Sequence, residues 1–148
     1  MTNIQHATME DYPSIKEIFK TYKDLFPHVR QDYLRNNISK NNVIYENEVV
    51  IVYNKYKKNT NIGTFKALKG TYILHQIVTT KHDGRASIVF NKLLNNINDP
   101  LYLTVRAANQ KAVDFYIRNG LKEIGTISWA KNTIPGKVFG YSPDTLLK

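Results

Sequence analysis

The sequence predicts an α/β chain of the α+β kind: a mixed, mostly antiparallel central sheet of about six to seven strands with helices on both faces. Three observations predict it. Two helical stretches precede any strand, a series of short β-branched runs separated by turn residues follows, and the second half alternates strand and helix before closing on two strands. The 148 residues suit one domain, residues 1–148, large enough to bury a core. No internal repeat, low-complexity tract or linker divides them.

In TMEDYPSIKEIFKTYKDLF, Thr8 and Asp11 have the spacing of a capping box, and Pro13 falls in the first turn, where its missing N–H costs nothing. Tyr12, Ile15, Ile18, Phe19, Tyr22 and Phe26 then recur at three and four, one face of an amphipathic helix. A second short helix is expected from Gln31 to Ile38. NVIYE and VVIVY read as strands either side of a turn from Glu46 to Glu48, and IGTFKAL and YILHQIVTT as strands flanking Lys69-Gly70. In KHDGRASIVFNKLLNNI, Ala86, Val89, Phe90, Leu93 and Ile97 share a helix face. YLTVR is a strand, NQKAVDFYIRNG a helix with Gly120 as its left-handed cap, and LKEIGTISWA with KVFGY a closing hairpin turned at Pro135-Gly136.

Composition narrows the function. Apolar residues make up 42%, a globular composition. No run approaches the length of a membrane span and the opening residues lack an apolar signal core, so a cytoplasmic protein with no membrane partner is expected. With zero cysteines there is no disulfide, no thiolate metal site and no cysteine nucleophile, and no metal is expected. The net charge of +9 attracts polyanions, whether nucleic acid, acidic protein or a phosphorylated cofactor, although the lysines are scattered and NKYKK at 54–58 is their densest cluster.

Two strand ends carry candidate chemistry. In TTKHDGRAS, Gly84 and Ala86 let a ligand approach the backbone, Lys81 and Arg85 add positive charge, and the amides opening the next helix can hold a phosphate or pyrophosphate. A lone glycine between strand and helix is more often an ordinary turn. In the second, Ala112, Phe115 and Tyr116 share a face of a helix that Asn109 begins; Asn109 alone reads as an N-cap and Tyr116 alone as a core aromatic.

Together, in order, these residues resemble a known family. TVRAANQKAVDFYIRNGLKEIG, with Val105, Asn109, Ala112, Phe115, Tyr116, Gly120 and Leu121, is similar to the last motif of the GCN5-related N-acetyltransferases (GNAT). The opening IQHATMEDYPSI resembles that family's usual start, and the order of elements agrees to the carboxyl end. Lys81, Gly84 and Ala86 match its pyrophosphate loop with lysine in place of Arg or Gln at the first position. The resemblance implies a GNAT-like fold and acetyl transfer from acetyl-CoA to a primary amine by direct attack. It implies that YILHQIVTT and YLTVR splay to admit the pantetheine arm. Backbone groups of Ile77 and Val78 would bind that arm, with the Val78 N–H polarising the thioester carbonyl, a donor worth a few kcal/mol. Lys81, Asp83, Gly84, Arg85, Ala86 and Ser87 would surround the pyrophosphate, and Asn109, Ala112 and Tyr116 would meet the cofactor from the other strand. Tyr116 would protonate the departing thiolate; a phenol near 10 against a thiol near 8.5 leaves a gap of roughly 2 kcal/mol.

His75 or Gln76 could take the proton from the attacking ammonium, with His75 the better matched in pKa; His82 and water are alternatives. The acceptor is expected to be a small-molecule or peptide amine. Two other readings keep the fold: modification of a nucleic-acid or tRNA-linked acceptor, suited by the charge and by Tyr53, Tyr56 and Trp129 as stacking aromatics, and a non-catalytic acyl-CoA-binding module.

Overall fold

A computed structural model of the chain describes residues 4–24, 26 and 29–143. The chain falls into two compact units, Met1–Tyr53 with His75–Asn96 and Asn54–Leu74 with Ile97–Lys148. Six strands form one sheet in the order β1-β2-β5-β6-β8-β7, where β1 is Val43–Glu46, β2 Val49–Lys55, β5 Tyr72–Thr79, β6 Leu101–Arg106, β7 Lys122–Trp129 and β8 Ile134–Tyr141. The sheet is mixed as expected: β5 joins β6 in parallel through Tyr72↔Leu101 and Ile73↔Tyr102, while β1–β2, β6–β8 and β7–β8 are antiparallel.

In the first unit the capping box forms, with the Thr8 N–H donating to Asp11 Oδ2 at 2.9 Å, and it heads a single 3-10 turn before α1, Tyr12–Thr21. The helix is shorter than the apolar spacing predicts. Tyr22 leaves helical geometry at φ −115°, ψ 32°, so Phe26 meets Phe19 edge-on from beyond the helix end; Leu25, within the same predicted stretch, lies outside the described residues. Helix α2, Gln31–Ser39, agrees with its apolar pattern. Ile15, Ile18 and Phe19 of α1 with Leu34 and Ile38 of α2 cover Val43, Val50, Val52 and Val78. Alternation sends Ile44, Val49 and Ile51 to the opposite face, and they too are 0 % exposed. That side carries α3, Arg85–Asn96, which buries Val89, Phe90, Leu93 and Leu94 and is tied to β1 by a Lys92–Glu46 ion pair.

The second unit corrects two expectations. IGTFKAL is not one strand: Gly63, at φ +58°, turns it into a separate hairpin of β3, Thr60–Ile62, and β4, Phe65–Ala67. Only glycine fits there, because a Cβ would stand 2.0 Å from the Thr126 carbonyl oxygen. Reciprocal bonds pin the hairpin to β7, Thr64 N–H to Thr126 O and Thr126 N–H to Thr64 Oγ1, both 2.9 Å. The closing hairpin also turns earlier than Pro135-Gly136. Ala130, Lys131 and Asn132 take φ of 52°, 55° and 70°, and Pro135 and Gly136 lie inside β8 opposite Ser128 and Ile127. Gly136 serves packing instead: a Cβ would meet the Trp129 ring at 2.4 Å. Helix α4, Gln110–Arg118, completes the unit.

Candidate functional site

The first predicted site is the junction from β5 into α3. Side chains alternate along β5: Leu74, Gln76 and Val78 are buried, and Val78 packs beneath α1 and α2. Gln76 is held there by Tyr33 of α2, whose hydroxyl donates to Oε1 at 3.1 Å. Burial pushes the Tyr33 phenol pKa up, and the Gln76 bond partly offsets this. His75 therefore occupies the other face. Much of its surface is exposed, yet desolvation around the ring lowers its pKa from the ordinary imidazole value and favours the neutral form. Ile77 is half-buried.

Beyond β5 the chain is fastened at several points. The Thr79 hydroxyl donates to the Glu48 carbonyl at 2.9 Å and accepts the Lys81 N–H at 3.1 Å. The Tyr22 hydroxyl donates to the Thr79 carbonyl at 3.1 Å and lies 2.9 Å from His82 Nε2. Because its one proton is directed at the carbonyl, the ring nitrogen acts as donor to the phenol oxygen. Gly84 has φ +92° with no atom within 4 Å of where a Cβ would be, so the backbone here is bare and approachable. The amides that open α3 cannot be served by carbonyls within the helix. This combination suits a phosphate group.

Arg85 sits differently from its sequence reading. Its Nε and Nη2 donate to the Asp83 carboxylate at 2.9 and 2.8 Å. Nη1 donates to Glu48 Oε2 and the Asn47 carbonyl at 3.2 Å, and to Asn47 Oδ1 at 3.3 Å. Hydrogen bonds from the guanidinium hold the Asp83 carboxyl at about 2. Asp83 Oδ1 also accepts the Arg85 N–H at 3.3 Å. The predicted cation is thus engaged by carboxylates. Lys81 is exposed, and Ala86 and Ser87 are half-buried in the first turn of α3.

The second predicted site lies in the other unit. Asn109 caps α4, its side-chain oxygen accepting the Ala112 N–H at 3.2 Å. Val113 is the buried anchor of the helix. Tyr116 packs against Phe115 and Phe139, with ring centroids 5.5 and 6.2 Å away. It is half-buried as a residue, and the surroundings of its hydroxyl are dry enough to push the phenol up to about 12.

Sequence reasoning missed Tyr22, Tyr33, Asn47 and Glu48, all of which touch the β5–α3 junction. Their partners lie 31 to 60 residues away, and the one local signal was the Asn-Glu turn. The aromatics read as stacking surfaces are used in packing: the Tyr53 hydroxyl meets His6 Nε2 at 2.9 Å, Tyr56 packs on Ile62, Ala67 and Val138, and the Trp129 ring crosses Gly136. Among the described residues no helix is long and apolar enough to cross a membrane.

No protein-family profile matches the sequence, and neither does any curated protein. Solved structures do match. A GNAT-family acetyltransferase from Streptococcus agalactiae is similar with TM-score 0.77 and 8% identity, over 96% of this chain and 95% of its own. One from Bacillus cereus gives 0.69 and 18%, over 96% and 97%. Arabidopsis thaliana NAA60 in complex with acetyl-CoA gives 0.66 and 13%, over 95% and 99%. The chain has the GNAT fold.

Proposed function

We propose that this protein is an acyl-CoA-dependent N-acetyltransferase that moves an acetyl group from acetyl-CoA to a primary amine. The observation that carries the reading is the likeness to GNAT-family acetyltransferases and to NAA60 in complex with acetyl-CoA, in each case over nearly the full length of both chains. The bare Gly84 turn ahead of α3 supports it independently, since a diphosphate needs amides it can approach. The charge of +9 favours an anionic co-substrate.

Acetyl-CoA supplies a thioester whose carbonyl carbon the amine nitrogen attacks, with loss of the C–S bond. In this reading the backbone of Ile77 and Val78 receives the pantetheine arm, and the Val78 N–H donates to the carbonyl oxygen as charge develops there. The amide of Gly84 and those of the first turn of α3 beyond Arg85, whose own N–H is turned to Asp83, receive the pyrophosphate, with Lys81 as the nearby cation and Asp83 and Arg85 shaping the loop. Asn109 and Ala112 form the start of the helix that carries Tyr116, and Tyr116 donates to the departing sulfur. His75, kept neutral by desolvation, accepts the ammonium proton directly or through water. The acceptor is a small-molecule or peptide amine; NAA60 with a bisubstrate analogue and the Escherichia coli ribosomal-protein-S18-alanine N-acetyltransferase are also similar in fold.

The test is calorimetric titration of the purified chain with acetyl-CoA, followed by transfer assays on a panel of small amines, polyamines and peptides with free amino termini. Saturable binding and acetylated product are expected. A chain that neither binds acetyl-CoA nor acetylates any of them refutes the reading; binding without transfer leaves the acyl-CoA-binding module in its place.

A further inference from the structure

The turn between β1 and β2 is built from residues that do not favour its geometry. Asn47 and Glu48 hold φ of 50° and 61°, the left-handed pair of a type I′ turn, whose second position ordinarily takes glycine. A glutamate in that region persists only when its surroundings hold it, and such outliers gather at working sites. Here the surroundings are the β5–α3 junction. Glu48 accepts from Thr79 through its carbonyl and from Arg85 through its carboxylate, while Asn47 accepts from Arg85 through both its oxygens. The edge of the guanidinium that could grip a phosphate with two parallel bonds is occupied by Asp83.

We propose that Asn47 and Glu48 are positioning residues for pyrophosphate recognition. Through Arg85 and Thr79 they fix the loop ahead of α3, so that its backbone amides meet the diphosphate while the Arg85 side chain serves as the clasp and not as a phosphate ligand. The proposal rests on the acetyl-CoA reading above. It reverses the sign expected of Glu48. Were Arg85 a direct ligand, neutralising Glu48 would release the guanidinium and tighten binding. As a clasp, losing either partner loosens the loop and weakens binding, and losing both does no more harm than losing one.

The experiment measures the dissociation constants of CoA and of pantetheine, which lacks the pyrophosphate, for the full chain and for Glu48→Gln, Arg85→Gln, the double variant and Glu48→Gly. Each single substitution is expected to weaken CoA by about two- to fivefold, the scale of an exposed ion pair. The double variant should match the worse single, and pantetheine binding should stay unchanged. Glu48→Gly relieves the left-handed strain, so it should unfold at no lower temperature yet still lose CoA affinity; that separates positioning from folding. Tighter CoA binding by Glu48→Gln, additive losses in the double variant, or an equal loss for pantetheine overturns the proposal. A wild-type chain that binds no CoA is a different result, and it removes the acetyltransferase reading along with the clasp.

Discussion

Replacing Tyr116 by phenylalanine probes the driest hydroxyl in α4, and its effect can be worked out before any substrate is known. Burial pushes this phenol up to about 12, whereas in the unfolded chain it ionises near 10. Between those values the unfolded state binds fewer protons than the folded state, so unfolding becomes easier as pH rises. The stability tied to this proton is complete below about pH 10 and is lost as pH climbs through about 12. Two units correspond to about 2.7 kcal/mol, of which roughly 2 kcal/mol has gone by about pH 11.5. Phenylalanine has no proton to release. Urea unfolding at about pH 9 and about pH 11.5 should therefore show the wild type losing roughly 2 kcal/mol more than Tyr116→Phe. Tyr33, Tyr56 and Tyr102 are also raised by burial, but they are common to both chains and cancel in the difference. Ultraviolet titration of the phenolate band should find one of the ten tyrosines ionising near 12, missing from the variant. Equal pH dependence of the two chains would refute the argument.

The same shift bears on the proposed reaction. Against a thiol near 8.5, a phenol near 12 faces a gap of about 3.5 units, roughly 5 kcal/mol, more than twice that of an ordinary tyrosine. A gap of that size disfavours full transfer of the proton to a free thiolate. In the proposed reaction the donor therefore shares its proton as the C–S bond breaks, when charge is only partly developed on sulfur. Turnover should fall by about 10²- to 10⁴-fold in Tyr116→Phe with CoA affinity unchanged. The phenol should impose no alkaline limb on kcat below about pH 11, so a limb near 10 that vanishes in the variant would contradict the buried setting.

Gly136→Ala forces the Trp129 ring off β8, since the new methyl would lie 2.4 Å from it; Trp129 is the sole tryptophan, so its emission should shift and stability fall by about 1–3 kcal/mol, and an unmoved spectrum counts against the packing described. Asn109→Ala removes the α4 cap and should cost about 1 kcal/mol, a few degrees in Tm, while Asn109→Asp keeps the cap; equal Tm for both would show that the cap contributes nothing. Gly63→Ala places a Cβ on the Thr126 carbonyl, so the β3–β4 hairpin should detach and amide exchange at Thr64 and Thr126 should speed up relative to the β6–β8 ladder.

What was legible in the sequence was whatever rests on local period and local chemistry. The apolar spacing of Ile15, Ile18 and Phe19 places α1 on its sheet, the Thr8–Asp11 box forms as spaced, and Asn109 caps the helix it precedes. Misreadings came where one residue type answers two demands. Pro135-Gly136 carries the composition of a turn, but Gly136 is small to admit Trp129, and three left-handed residues just before it make the turn. Gly63 reads as a weak point inside a strand until the Thr126 carbonyl beside it is known.

Charge was the least legible quantity of all. Arg85 announces a cation beside a phosphate loop, but whether that cation faces a ligand or a carboxylate depends on Asp83, two residues away, and on Glu48, 37 residues away on a turn without a motif. His75 had the better pKa for a base, but which of His75 and Gln76 takes the buried face was unreadable until Tyr33 was seen to hold Gln76 there. In both cases the residue type named the chemistry available, and the partners it meets in the fold decided which way the group points. A junction that recruits Tyr22, Tyr33, Asn47 and Glu48 from three other elements has its geometry fixed before any ligand arrives, and backbone amides held that way lose little freedom on binding an anion. This is the physical reason to look for pyrophosphate affinity in the loop's backbone and its supports, and to expect the charged side chains beside it to matter chiefly through the shape they impose.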